Sequence, residues 1–270
     1  MKIVKASGVI EEFDKNKIIN TVIKAGASKE LAENIANQVG KEIKPGTTTK
    51  QILNRTLNLL KSKPEIAARY DLKRAIMNLG PHGFLFEEYI SQILQAYGYK
   101  TKTDQILKGK NVSHEIDVIA SKDKISIIEA KYHNLLGTYT HTKVALYSYA
   151  RFLDLKTNSK NKIDESWIIT NTKCTNRAIE YSKGVGQRII SWNYPRKENL
   201  QELIEKKDLY PITIYKTISN PIKEKLFRAG IVLAKDLSSH NLEELKNKTG
   251  LDEKILQKII DETKKICIKC

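Results

Sequence analysis

The hydrophobic pattern changes period at Gly80-Pro-His-Gly83, a helix-breaking linker, and that change requires at least two separately organised parts. Before it, apolar residues recur at helical spacing. Ile18, Ile19, Val22 and Ile23 share a face in a segment from Lys15 to Ala25 that stops at Gly26. Leu31, Ile35, Val39 and Ile43 follow a Ser28 cap, and Ile52, Leu53, Leu57 and Leu60 follow Thr49. Pro64 opens a fourth helix, expected to run to Gly80. Residues 2–14, KIVKASGVIEEFD, read as a β-hairpin turning at Ser7 and Gly8. After the break the order is a helix from Phe84 to Tyr97, then short β-branched segments at Val112 to Ala120, Lys124 to Tyr132, Ser166 to Thr170 and Arg188 to Trp192. Helices at Thr142 to Leu153 and Thr175 to Ser182 interleave with them, which predicts an α/β layer structure. From about Leu209 the chain is helical again. The expected organisation is multidomain: a hairpin-plus-helices domain at 1–80, an α/β core at 83–200 and a small all-α module at 209–270.

Charge narrows the partners. Against 31 Asp plus Glu stand 47 Lys plus Arg, a net +16 with an excess in every part, which favours nucleic acid or nucleotide; a Lys-rich solvated surface is the competing reading. At 40% hydrophobic and 29% charged residues the chain is too apolar for disorder, and no apolar run approaches the ~20 residues of a membrane helix. KIVKAS at the start is no signal core, so a cytoplasmic protein with no membrane partner is expected. Cys174, Cys267 and Cys270 make an odd number, which argues against a disulfide framework. The C-x-x-C of the last two has no second pair to complete a zinc site and reads as structural or incidental.

Two strands carry the chemistry. In His114-Glu-Ile-Asp-Val118, period two puts Glu115 and Asp117 on one face and Ile116 and Val118 on the other. In Ile125-Ser-Ile-Ile-Glu-Ala-Lys131, Glu129 and Lys131 share a face at the end of a run that should be buried, where charge needs a reason. Phosphodiester hydrolysis supplies one: two carboxylates can hold a divalent cation and a neighbouring ammonium can orient water. Glu87 can add a carboxylate from the preceding helix. An edge strand protected by its charges is the structural alternative. The order helix, strand with Asp, strand with Glu-x-Lys, helix, strand resembles the PD-(D/E)xK nuclease core. GFLFEEYISQILQAYGY, HEIDVIA and IEAKYH, with TNTKCT and ISWNYP, look like its Mrr-type restriction endonuclease branch over residues 83 to about 195. The resemblance implies Glu87, Asp117, Glu129 and Lys131 as catalytic residues, with Asp117 and Glu129 holding Mg²⁺ or Mn²⁺. His114 and His133 flank the strands as phosphate ligands or plain strand-end residues. Lys143, Tyr147 and Arg151, at i, i+4 and i+8, share a helical face that could grip DNA phosphate or be merely solvated.

Lys5 and Lys17 bracket the hairpin turn and a helix start, where backbone amides favour anions. Residues 3–80 resemble an ATP-cone domain through IVKASGVIEEFDKNKI, PGTTTKQI and AARYDLKRAI. That resemblance implies that ATP or dATP is contacted by Lys5, Glu11, Lys17 and Thr49, and by Lys73. Ala6 departs from it, standing where many cones carry a second basic residue. No Walker-type loop is present, so ATP is expected as a regulator and not as fuel.

The run LFRAGIVLAKDLSSHNLEELKNKTGLDEKILQKIIDE resembles helix-hairpin-helix modules, including the one at the C-terminal end of the RNA polymerase alpha chain. It implies non-specific contact with DNA phosphate by Gly250, Lys254 and Lys258. Asp252 replaces the second glycine of the usual turn, and packing or dimerisation is the alternative use. The whole reads as a Mg²⁺-dependent endodeoxyribonuclease acting on double-stranded DNA under nucleotide control, with the oligomeric state open. The alternative is a catalytically inactive, nucleotide-responsive DNA-binding or regulatory protein.

Overall fold

The structure is a computed structural model that describes residues 1–80 and 83–267; Pro81 and His82 of the expected linker, and Cys270, lie outside the described residues. Strands β1 (Lys2–Val4) and β2 (Ile10–Glu12) form the expected antiparallel hairpin, closed at Gly8, whose φ of 81° suits glycine. Helices α1 (Lys15–Lys24), α2 (Lys29–Glu42) and α3 (Thr49–Leu59) follow. Each begins at a side-chain cap: Asp14, Ser28 and Thr48 accept from Asn16, Leu31 and Gln51 backbone N–H groups. Their apolar faces, with Ile18, Val22, Ile35, Val39 and Ile52, close a small core over Ile3.

The expected fourth helix is two. α4 (Pro64–Tyr70) and α5 (Leu72–Met77) are separated at Asp71, whose φ of −93° and ψ of 9° leave the helical region. The buried Asp71 carboxylate accepts from Arg74 at 2.5 and 2.9 Å and pairs with Lys216 at 2.9 Å, a tie to the distant C-terminal part.

Next come α6 (Phe84–Ala96), β3 (Lys100–Lys108), β4 (Ser113–Ser121), β5 (Ile125–Lys131), β6 (Tyr139–Thr140), α7 (Thr142–Thr157), β7 (Glu165–Thr170), β8 (Lys173–Cys174), α8 (Asn176–Gly184) and β9 (Arg188–Ile190). Five strands form one sheet in the order β3-β4-β5-β7-β9, antiparallel from β3 to β5 and parallel from β5 to β9. β6 and β8 pair separately beyond its end. On β7 the faces alternate: Trp167 and Ile169 pack toward α6, Ile168 toward Val144 and Ala145 of α7 and Ala178 of α8.

The remaining helices are α9 (Leu200–Lys206), α10 (Asn220–Arg228), α11 (Asp236–Ser239), α12 (Leu242–Thr249) and α13 (Glu253–Ile266), with a 3-10 turn at Ile212–Ile214. They are not a detached module. Leu226, Leu245, Leu256 and Ile266 belong to one continuous core with Ala68, Leu72 and Ile76 of α4 and α5, Phe86 and Tyr89 of α6, and Val118 and Trp167 of the sheet. Tyr89 donates to the Leu209 carbonyl at 2.7 Å, and the buried Arg69 guanidinium donates to the Ala25 carbonyl at 2.7 Å and the Ile266 carbonyl at 2.9 Å. Among the described residues, no helix is long and apolar enough to cross a membrane.

Candidate functional site

The sheet opens at Asp117. The β4–β5 ladder ends at Val118↔Ile128, and one step further the Asp117 carboxylate accepts the Ala130 N–H at 2.7 Å. On the other side of β4 the ladder passes from Thr103↔Val118 to Gln105↔Ile116. The skipped Asp104 adopts φ of 52°, a conformation costly for a residue with a Cβ. The irregularity reverses the faces. Ile116 packs with Phe152 and Leu155 of α7, whereas Val118 packs with Phe86 and Ile90 of α6. The expected alternation, with Ile116 and Val118 on one side, therefore fails at Asp117, where the strand turns over.

Glu129 is buried at the end of β5, facing α7. Tyr147 donates its hydroxyl to Glu129 Oε1, and Arg151 donates to Glu129 Oε2 at 3.0 Å. Burial, then the bond to Glu129, raises the Tyr147 hydroxyl far above its ordinary range, so it remains a donor. The helical face expected to grip DNA is thus divided: Tyr147 and Arg151 turn inward because that stretch of α7 lies over the charged end of β5, while Lys143 is exposed. Lys131 follows two residues after Glu129 on the same side of the strand.

Glu87, in the first turn of α6, faces the same opening. Burial and then the Asp117, Asp104, Glu115 and Glu129 carboxylates push its carboxyl up to about 7. Burial and then Glu129 push Asp117 up to about 6, against the opposing pull of the Ala130 N–H and Arg151. Carboxylates crowded this way favour a proton or a cation in their midst. Among the described residues, no three Asp, Glu, His or Cys side chains already form a chelating group. The donor set still fits Mg²⁺, which takes one or two carboxylates and completes its shell with water and phosphate.

The histidines divide. His114 Nε2 lies 2.8 Å from Asp154 Oδ2 in α7, and Asp154, held at about 2 chiefly by that contact, also accepts the Asn111 N–H at 3.0 Å; His114 therefore fastens the β3–β4 turn. His133 stands just past Lys131, its ring 3.1 Å from the Thr140 hydroxyl and its backbone joined to Asn171 at 2.9 and 2.7 Å. Burial, then the Lys131 charge, lowers its pKa.

A cavity of about 240 Å³ beside the hairpin is lined by Lys5, Thr49 and Lys73, three of the five residues expected at the nucleotide. Glu11 and Lys17 are not in that lining: Glu11 pairs with Lys5 at 2.5 Å and with Lys17 at 3.1 Å, and Lys5 leads the interactions that lower its pKa. Lys173 and the loop around Gly137 complete the wall. Sequence reasoning passed over both, and over Asp104. A lysine is unremarked among 47 basic side chains, and a backbone angle leaves no mark in residue type.

In the C-terminal part, Lys254 and Lys258 are exposed on α13 as expected. Gly250 is not an amide donor to phosphate. Its φ of 60° makes it the left-handed cap of α12, and its N–H is taken by the Lys246 carbonyl at 2.8 Å. The start of α13 is capped in turn by Asp252, which accepts the Lys254 N–H at 2.8 Å.

Comparison with known proteins agrees with this layout. Three family models match in order: ATP cone domain over residues 1–77, restriction endonuclease over 80–203, and AF1548-like, C-terminal, over 210–267. An uncharacterized protein of Archaeoglobus fulgidus is 40% identical over 178 residues, 66% of this chain and 99% of its own length. A second uncharacterized protein of that organism is 42% identical over 39 residues, 14% of this chain and 83% of its own. A solved structure described as the crystal structure of a protein of unknown function, AF1548, is 38% identical and superposes with a TM-score of 0.61, covering 68% of this chain and 98% of that one. With a restriction-endonuclease-like core, an AF1548-like C-terminal part and an ATP cone in front of them, the chain belongs to the AF1548-like family.

Proposed function

We propose that the chain is a divalent-cation-dependent endonuclease of double-stranded DNA whose activity answers to ATP or dATP on its cone, with 1–80, 83–200 and 209–270 as its working parts. One observation carries the reading: Asp117, Glu129 and Glu87 lie together where the β4–β5 ladder opens, with Lys131 two residues beyond Glu129 on the same side of β5. Asp117 and Glu129 would hold Mg²⁺ or Mn²⁺. Bound there, the cation supplies neutralisation of the scissile phosphate and acidification of a water. Lys131 orients that water and offsets charge growing on the phosphate. Arg151 and Tyr147 act as positioning residues that fix the Glu129 carboxylate. Lys143, Lys254 and Lys258 offer charge to the DNA backbone away from the cut, and the cone binds nucleotide as a ligand without a Walker loop to hydrolyse it.

Supercoiled plasmid incubated with the protein, Mg²⁺ and ATP tests this. Asp117→Ala, Glu129→Ala and Lys131→Ala should each slow cleavage on the order of a hundredfold or more while DNA binding, followed by fluorescence anisotropy, persists. Lys131→Ala cutting at the parent rate, or a parent protein that binds DNA yet never cuts it in Mg²⁺ or Mn²⁺, overturns the reading.

A further inference from the structure

The cone's cavity is only half made by the cone. Its far wall comes from the nuclease core, from the loop that leaves β5 and from β8. The hairpin turn and that loop meet backbone to backbone: a Cβ added to Gly137, whose φ is 86°, would lie 2.7 Å from the Ala6 carbonyl carbon and 2.8 Å from the Ser7 nitrogen. Tyr139 and Lys173 are register partners on β6 and β8, so Lys173 is carried to the cavity by the same short sheet that carries the loop. Four lysines, Lys5, Lys50, Lys73 and Lys173, then surround one space that, among the described residues, has no carboxylate in its lining, although Glu11 pairs with Lys5 from outside it. Such a group repels itself and gains from a polyanion between its members. Burial, then the Lys173 charge, lowers Lys73 to about 8. A second cavity of about 340 Å³ adjoins the first through Leu53, Lys73 and Leu136 and reaches the rings of Tyr70 and Trp192, on which a base could stack, among polar groups that include Arg69, Asp71 and Glu205.

Resting on the reading that the cone binds a nucleotide, we propose that the nucleotide site is shared between cone and nuclease core, with Lys173 contacting the phosphates from the nuclease side. The loop that forms this wall, at Leu136 to Tyr139, leaves β5 at Tyr132, which donates to the Met77 carbonyl of α5 at 2.5 Å and whose ring lies 5.5 Å from that of Phe86. A ligand gripping both walls is therefore joined through that loop to the strand end that bears Glu129 and Lys131.

Calorimetric titration of the full chain with ATP, without DNA, decides the matter. Lys173→Met should weaken ATP by about tenfold, the scale of a lost charge-assisted contact, while Lys160→Met, which removes another exposed charge elsewhere on the core, should bind as the parent does. Lys5→Met serves as the cone-side reference and should also lose affinity. If the parent and Lys160→Met bind, Lys5→Met does not, and Lys173→Met binds like the parent, the shared site is overturned and the cone reading stands. If the parent takes up no ATP or dATP, both fall.

Discussion

Glu87 and Asp117 keep protons that ordinary carboxyls have released. In the folded chain they titrate at about 7 and about 6, against ordinary values of 4.5 and 3.8, with burial as the largest cause in each. Between those limits the folded state binds more protons than the unfolded one, so stability falls as pH rises from about 4 to about 7 and stays reduced above. In a chelator these two carboxyls should therefore pull the thermal unfolding midpoint down from pH 5 to pH 7.5, against the opposite contribution of the depressed His133. Glu87→Gln should flatten that decline, and Mg²⁺ at pH 7.5 should restore part of the parent's loss; parallel curves for parent and variant would contradict the assignment. Asp117, Glu129 and Lys131 were legible in the sequence because charge at the end of an apolar strand is conspicuous. The partners of Glu129 were not: the i, i+4 spacing of Tyr147 and Arg151 defines a face of α7 without saying what that face meets.

Among the elements, those with an apolar period or a capping residue were legible, and α1, α2, α3, α6 and α7 lie where the pattern put them to within a few residues. β3 was invisible. KTKTDQILK alternates in exposure, but its outward positions are mostly polar and its inward ones include Thr101, Thr103 and Gln105, so hydropathy does not mark the period. The break between α4 and α5 was hidden for another reason: Asp71 is an unremarkable helix residue until Lys216 arrives from far along the chain. The turn between α12 and α13 invites a direct comparison. Lys254→Ala with Lys258→Ala should lower the magnitude of the slope of log DNA affinity against log salt by about 0.9 per lost phosphate contact, equally for every duplex sequence. Gly250→Ala should leave that slope alone and destabilise by about 1 kcal/mol, because its part is a left-handed cap. Slope and denaturation midpoint measured on both variants separate the two roles, and a slope unchanged by loss of both lysines removes α13 from the DNA interface.

At the scale of the molecule, the three family segments are not three cores. The hairpin, α1 to α3 and Ile66 of α4 close one core, whereas Ala68 of α4, α5, α6, the sheet and α10 to α13 share another. Native-state hydrogen exchange should accordingly find the slowest amides of α13 opening together with those of β5 and β7, at one common free energy; independent early opening of α13 would refute the shared core. This unity was not legible, since Gly80-Pro-His-Gly83 and the composition near residue 209 both read as boundaries, and sequence pattern shows where a face is apolar but not which face covers it. The Arg69 bridge from Ala25 to Ile266 has a consequence in time. Ribosomes deliver chains from the N-terminus at roughly 5–20 residues per second. Throughout the interval after Lys131 has emerged and before α13 has, a nascent chain carries the proposed site residues but lacks part of the core that α6 and the sheet share with α13. On the proposed reading, DNA cleavage would wait until α13 has joined that core, and a chain stopped before it would not cut.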